Sequence, residues 1–283
     1  MTPLDTQRNY RLPGPTPAVA PGERSNRPAK VAPMKIGCSS ESFARSIDSD
    51  DLTQLEWLDL CANELEVDGV VFAAAHFPRT DNEYLAQLKK VCADLGLCIA
   101  AISASDAFWN GGEHLLDLAV TLGAPLAIAP AAPAGTGPDA WGTFAAAVKG
   151  CTRLAKERNV TLAVRNLPGT LCANGSDLRR LAKDVDSAWL RFALDPAPLE
   201  TDDAHALLPK SAIAVHAIPD LAGFATTEDG DAPSLITRLA RFRGFVILDA
   251  PPPAAGQTAS HPYHDALERF TKLRAETLTA PPV

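Results

Sequence analysis

The chain has 283 residues, 46% hydrophobic and 21% charged, which is ample apolar material for a core and excludes wholesale disorder. Its net charge of −8 hides an asymmetry, because residues 1–33 carry five basic residues against Asp5 and Glu23, leaving about −11 on the remainder. An acidic body repels phosphate backbones, and no basic groove with aromatic platforms offsets it, so no nucleic-acid partner is expected.

Residues 1–33 hold seven prolines and almost no periodic apolar pattern. Such a segment cannot bury enough surface to offset the entropy of ordering, and a disordered tail is expected there. It lacks the apolar centre of a signal peptide, and no apolar run in the chain approaches the roughly 20 residues that span a bilayer. No membrane partner is therefore expected. Met34 directly precedes the first strand-like run, which makes it a candidate natural start. The six cysteines (38, 61, 92, 98, 151 and 172) contain no CxxC pair and read as reduced thiols, consistent with a cytoplasmic location.

From Met34 onward, short apolar runs of strand length alternate with longer segments whose apolar residues recur at helical spacing. The predicted strands are 35–38, 69–73, 98–102, 125–129, 160–164, 190–194, 212–217 and 244–248. Between them, Leu85, Leu88, Cys92 and Leu95 form one apolar helical stripe, and Leu115, Leu118 and Leu122 another. Ser176 before the Leu178, Leu181, Val185 stripe reads as a helix N-cap, and Gly96 and Gly123 suit helix C-terminal caps. The strands do not alternate with polar residues, so both of their faces are buried, as a parallel sheet requires. Eight such units in about 250 residues predict a closed α/β TIM barrel over 34–283. The competing open nucleotide-binding sheet usually shows a glycine-rich loop after its first strand, where this chain reads Gly37-Cys38-Ser39-Ser40-Glu41.

A parallel barrel carries its active site at the C-terminal strand ends. Four successive runs close on polar residues: LAVRN with Arg165, FALDP with Asp195, IAVHAIPD with His216 and FVILDA with Asp249. His76, in AAAHFP after the second strand, shares that rim. Any one of them reads equally well as a loop cap or packing residue, but four in consecutive strands converge around one axis. Asn166 adjoins Arg165, and since neighbouring strand residues point to opposite faces, one of the two faces the helical layer. Trp109, in DAFWNGGE after the third strand, reads either as an exposed platform for a sugar ring or as a packing anchor. His261 and His264 in HPYHDAL have a spacing compatible with a metal pair, but the pair reads better as a helix-start surface pair. Asp220 is a further rim candidate, and His114 and His205 read as surface residues.

At these residues the sequence resembles the xylose-isomerase-like barrels, the superfamily of sugar isomerases, epimerases and apurinic endonucleases of the second family. The resemblance runs through most of 34–283, including HFPRTDNEYLAQLKK, DLGL, PGTL and SDLRRL. It implies a divalent metal (Mn, Mg or Zn) held by carboxylates and a histidine at the ends of strands five to eight. In the epimerases the carboxylates of strands five and eight also exchange the substrate proton. Asp195 matches the strand-six carboxylate and His216 the strand-seven histidine, while Asp249 stands where a glutamate is usual. Pro198 takes the place of a further histidine, and Arg165 replaces the strand-five glutamate.

That last exchange changes the local charge by two units. Against a divalent ion about 5 Å away it disfavours binding by on the order of 10 kcal/mol at an effective dielectric near 20, an upper bound that solvent screening lowers. Arg165 has donors only and stays protonated, so it cannot be a metal ligand. Two roles remain open to it: a forked salt bridge with Asp195 or Asp249 in the vacated metal position, or binding of a ligand's carboxylate, phosphate or enediolate oxygen. His216, Asp249 and His76 are the candidate acid or base groups. Two functions are expected in parallel. One is an isomerase or epimerase acting on a small polyhydroxylated, sugar-like substrate through an altered site with no metal or a weakly bound one. The other is a non-catalytic barrel that binds an anionic sugar derivative or a protein partner. The sequence leaves the oligomeric state open.

Overall fold

The computed structural model describes residues 35–104, 109, 112–135, 137, 139–195, 199, 203, 206–208, 211–217, 242, 244–249, 257–264, 267, 268, 271 and 275, with the backbone alone for 212 and 214–217. The expectations for residues 1–33, Pro198, His205 and Asp220 lie outside these residues.

Eight parallel strands close into a barrel in sequence order. They are β1 (Lys35–Ser39), β2 (Gly69–Ala73), β3 (Cys98–Ser103), β4 (Leu126–Pro130), β5 (Thr161–Arg165), β6 (Leu190–Leu194), β7 (Ser211–Ala217) and β8 (Phe245–Asp249). Every one was predicted, with ends displaced by no more than one residue. Closure comes from β1 against β8, where Lys35 to Cys38 pair with Phe245 to Leu248. The helices are α1 (Ala44–Asp48), α2 (Gln54–Asp59), α3 (Asn82–Asp94), α4 (Glu113–Leu122), α5 (Ala140–Glu157) and α6 (Gly175–Val185). No helix among the described residues is long and apolar enough to cross a membrane.

Two cores result from the period of two along each strand. Val71, Ala101, Ile128, Ala163, Ala193, Ile213 and Ile247 pack together inside the barrel. Their neighbours Phe72, Ile102, Leu162, Val164, Phe192, Val246 and Leu248 join Trp57, Leu88, Leu116 and Leu181 in the layer between strands and helices. The alternation positions the site. Two residues beyond Ala163, Ala193 and Ile247 stand Arg165, Asp195 and Asp249, so all three inherit the interior face at the C-terminal mouth.

Local chemistry sets the helix ends. Thr53 and Glu56 form a capping box at the start of α2. Leu95 ends α3 and Gly123 ends α4, with Gly96 and Gly123 at φ of 73° and 76°, the left-handed region that favours glycine. The N-cap of α6 is Asn174, whose side chain accepts from the Asp177 amide at 3.0 Å. Ser176, the predicted cap, lies inside the first turn, because Asn174 also caps well and stands two residues earlier.

Candidate functional site

The site is built from β1 and its turn on one side and from β5, β6 and β8 on the other. Arg165 Nη2 donates to Asp249 Oδ2 at 2.7 Å. The same nitrogen lies 3.8 Å from Asp195 Oδ2, and Nη1 lies 3.6 Å from Glu41 Oε2. One guanidinium therefore stands among three carboxylates, and its side chain is 19% exposed. Its Nε is buried without a hydrogen-bond partner. Of the two roles open to Arg165, the ion pair with Asp249 is the one the geometry displays.

The turn after β1, Ser40–Phe43, places three consecutive side chains. Ser40 Oγ accepts from the Ala73 amide at 2.9 Å and contacts His76 Nδ1 at 3.0 Å. Glu41 Oε1 accepts from Ser103 Oγ at 2.7 Å. Ser42 Oγ donates to Asp249 Oδ1 at 2.9 Å, so both oxygens of Asp249 are engaged. A cavity of about 170 Å³ opens here, with Glu41, Ser103, Arg165 and Asp249 above an apolar floor that includes Val71 and Ile247. A larger hollow of about 650 Å³ lies against α4 and α5, lined by Trp109, Glu113, Arg153, Leu154 and Glu157 among others. Its charged side chains come from the two helices, not from the barrel strands.

Two of the predicted ligand-facing residues are placed otherwise. Asn166 is fully buried, its Nδ2 donating to the Asp195 carbonyl and its Oδ1 accepting from the Asp195 amide, both at 2.8 Å. It ties β5 to the end of β6 and has no surface for a substrate. Trp109 is 9% exposed, with Nε1 donating to the Pro130 carbonyl at 2.7 Å and its ring edge-on to Phe144. It is a packing anchor, since the indole gains more from burial than a rim position would give.

His76 ends the turn after β2 and is half-buried. His216 is level with Leu248 in the β7–β8 register and Ala217 with Asp249; the His216 side chain lies outside the described atoms. His264 Nε2 lies 3.8 Å from Glu64 Oε1 on the half-exposed surface, with His261 beside it, the arrangement of a surface pair.

Sequence reasoning missed Glu41. It stands two residues past the end of β1, on a turn, so the search for polar residues closing apolar strands passed over it. The signal that marks it is the unusually polar Ser39-Ser40-Glu41-Ser42 run directly after a buried strand.

Thiol chemistry does not suit the buried cysteines. Burial pushes the Cys92 and Cys172 thiols up to about 12 and the Cys61 thiol well above its ordinary value, so they remain protonated. Burial, and after it the neighbouring Cys38 and Asp249, also raise the hydroxyl of Tyr263, which stacks on Phe43 at 5.1 Å and stays neutral.

The described donors do not fit a divalent ion. The guanidinium is a donor-only cation inside the carboxylate ring, and Asp249 is spent on Arg165 and Ser42. Among the described residues no three His, Cys, Asp or Glu side chains converge as a metal would need.

A closed parallel barrel with a carboxylate-rich mouth defines the class. The sequence matches the family model of the xylose isomerase-like TIM barrel over residues 60–261, and the chain belongs to that family. Solved structures of similar fold include the probable 3-DHS dehydratase AsbF involved in petrobactin synthesis from Bacillus anthracis, 16% identical, covering 86% of this chain and 99% of that one at a TM-score of 0.63. L-ribulose 3-epimerase is 15% identical over 88% and 99%, with a TM-score of 0.64. The apo form of 3-keto-D-glucoside 4-epimerase from E. coli is 14% identical over 86% and 99%, with a TM-score of 0.61. At these identities the likeness shows the fold alone. No protein of curated function matches the sequence.

Proposed function

We propose that the chain is an isomerase or epimerase of small polyhydroxylated substrates, in which the Arg165 guanidinium takes the place of a metal ion. The observation that carries this reading is Arg165 at 2.7 to 3.8 Å from three carboxylates at the C-terminal mouth. A fixed positive charge there stabilises the oxygen of an enediolate, the task a metal otherwise performs. The carboxylates and the Ser103 hydroxyl oxygen, whose proton goes to Glu41, offer acceptors for sugar hydroxyls, and the guanidinium offers donors. The cavity of about 170 Å³ is smaller than the roughly 300 to 1,000 Å³ of sites for drug-sized ligands, which suits a single small sugar.

Asp249, His216 and His76 remain the candidate acid or base groups from the strand ends, with Asp195 bordering the guanidinium. Ser40 Oγ, which accepts from the Ala73 amide, also lies within hydrogen-bond distance of His76 Nδ1 and ties that ring to the turn after β1. A cytoplasmic location belongs to the same reading, supported by six unpaired cysteines.

A second reading, ligand binding without turnover, is favoured by one contact set: both Asp249 oxygens are committed to protein partners. Proton exchange decides between the two. A panel of neutral and phosphorylated aldoses and ketoses, including D-fructose and D-tagatose, is incubated with the protein in deuterated water without added metal. Proton NMR should show loss of a carbon-bound hydrogen next to the carbonyl in at least one sugar. Binding without any exchange would establish the non-catalytic alternative.

A further inference from the structure

We propose that Glu41, on the turn after β1, is the catalytic base of the mouth. This rests on the isomerase reading above. Among the described residues lining the cavity, only Glu41, Arg165 and Asp249 ionise. Asp249 accepts from Ser42 with one oxygen and from Arg165 with the other, so taking a proton there would break the anchor of the guanidinium. Glu41 is built differently. Ser103 holds Oε1, while Oε2 has the Arg165 Nη1 contact at 3.6 Å, beyond the 2.7 to 3.2 Å of a hydrogen bond, and keeps its lone pairs for a ligand. Its side chain is 42% exposed, against 21% for Asp249, so it can exchange its proton with water.

The arrangement relocates a charge. The β5 end carries an arginine, and the carboxylate that works with it comes from β1 across the mouth. Base and cation then meet side by side, 3.6 Å apart, at one small cavity. In the step, Glu41 Oε2 takes the hydrogen on the carbon next to the carbonyl as a proton. The electron pair of that C–H bond forms the new C=C bond, and the carbonyl π pair moves to oxygen, where Arg165 Nη1 faces the negative charge. Return of the proton from the Glu41 carboxyl to the same carbon restores the sugar with its hydrogen exchanged. Return to the former carbonyl carbon, with the adjacent hydroxyl proton passing to the enediolate oxygen, interconverts aldose and ketose. A single base delivers and removes the proton on one face, so this geometry selects aldose–ketose isomerisation over epimerisation, which needs an acid on the other face.

The test measures exchange and binding separately, on the sugar from the panel that the wild-type protein exchanges fastest. Glu41→Gln keeps an oxygen for Ser103 and should fold with an unchanged melting temperature. Its exchange rate should fall by at least about 100-fold, while its affinity for that sugar, read by calorimetry, changes less than about threefold. Glu41→Asp, which retains the carboxylate, should recover part of the rate. Exchange by Glu41→Gln within about threefold of wild type would overturn the assignment and leave the isomerase reading standing. A wild-type protein that exchanges no sugar of the panel would overturn both.

Discussion

Arg165 is the residue on which the energetics of the mouth turn. Three carboxylates, each within 4 Å of the guanidinium, would repel one another strongly without a cation, and Arg165, held by a charge-assisted bond at 2.7 Å, supplies it. Charge rather than geometry should therefore decide what the site holds. Arg165→Glu is expected to create a divalent-cation site from the introduced carboxylate together with Asp195 and Asp249. Mn²⁺ at about 100 times its dissociation constant adds about 2.7 kcal/mol, which should raise the melting temperature of the variant by roughly 5 °C in a thermal scan. The same ion should leave the wild-type protein unchanged. Equal shifts in both proteins would show that Arg165 does not exclude the ion. This residue was legible in the sequence because LAVRN is a buried run closing on a charge. Glu41 was not, because its place depends on a turn of four residues whose direction no periodicity encodes. Trp109 shows a third case, an aromatic beside glycines whose burial is set by Phe144 and the Pro130 carbonyl, partners distant in sequence.

At the scale of elements, strand existence was readable because two-sided burial forces continuous apolar runs. Strand ends moved by a residue, and that displacement matters, since Arg165 and Asp249 close their strands rather than follow them. The contacts of the barrel's N-terminal end were not readable at all. Gly37 and Gly69 pair in register, and a Cβ on Gly69 would stand 2.6 Å from the Cys98 carbonyl oxygen and 2.7 Å from the Phe245 ring. Phe245 plugs the barrel floor in the room these glycines leave. Since the carbonyl belongs to a neighbouring strand and cannot swing away, Gly69→Ala should cost about 1 to 3 kcal/mol. Gly150, in the middle of α5 with nothing within 4 Å of where a Cβ would stand, gives the contrasting case. Gly150→Ala should stabilise by about 0.5 to 1 kcal/mol. Urea midpoints of the two variants check both signs, and a neutral Gly69→Ala would contradict the packing described for the floor.

The whole molecule joins an ordinary barrel to an altered mouth. Its eight strands close in sequence order, and its interior is filled by small and branched side chains. Fold and family were legible at this scale because they rest on repeated patterns spread over about 250 residues. The candidate site rests on a handful of contacts among the turn after β1 and the ends of β3, β5, β6 and β8, which only the closed barrel brings together. The central claim is that a guanidinium stands where the family's fold implies a metal ion. Elemental analysis of protein purified without chelator tests it most directly. Manganese, zinc, magnesium and iron should each fall far below one equivalent per chain, whereas a stoichiometric amount of any of them would show that Arg165 swings aside and would contradict the account.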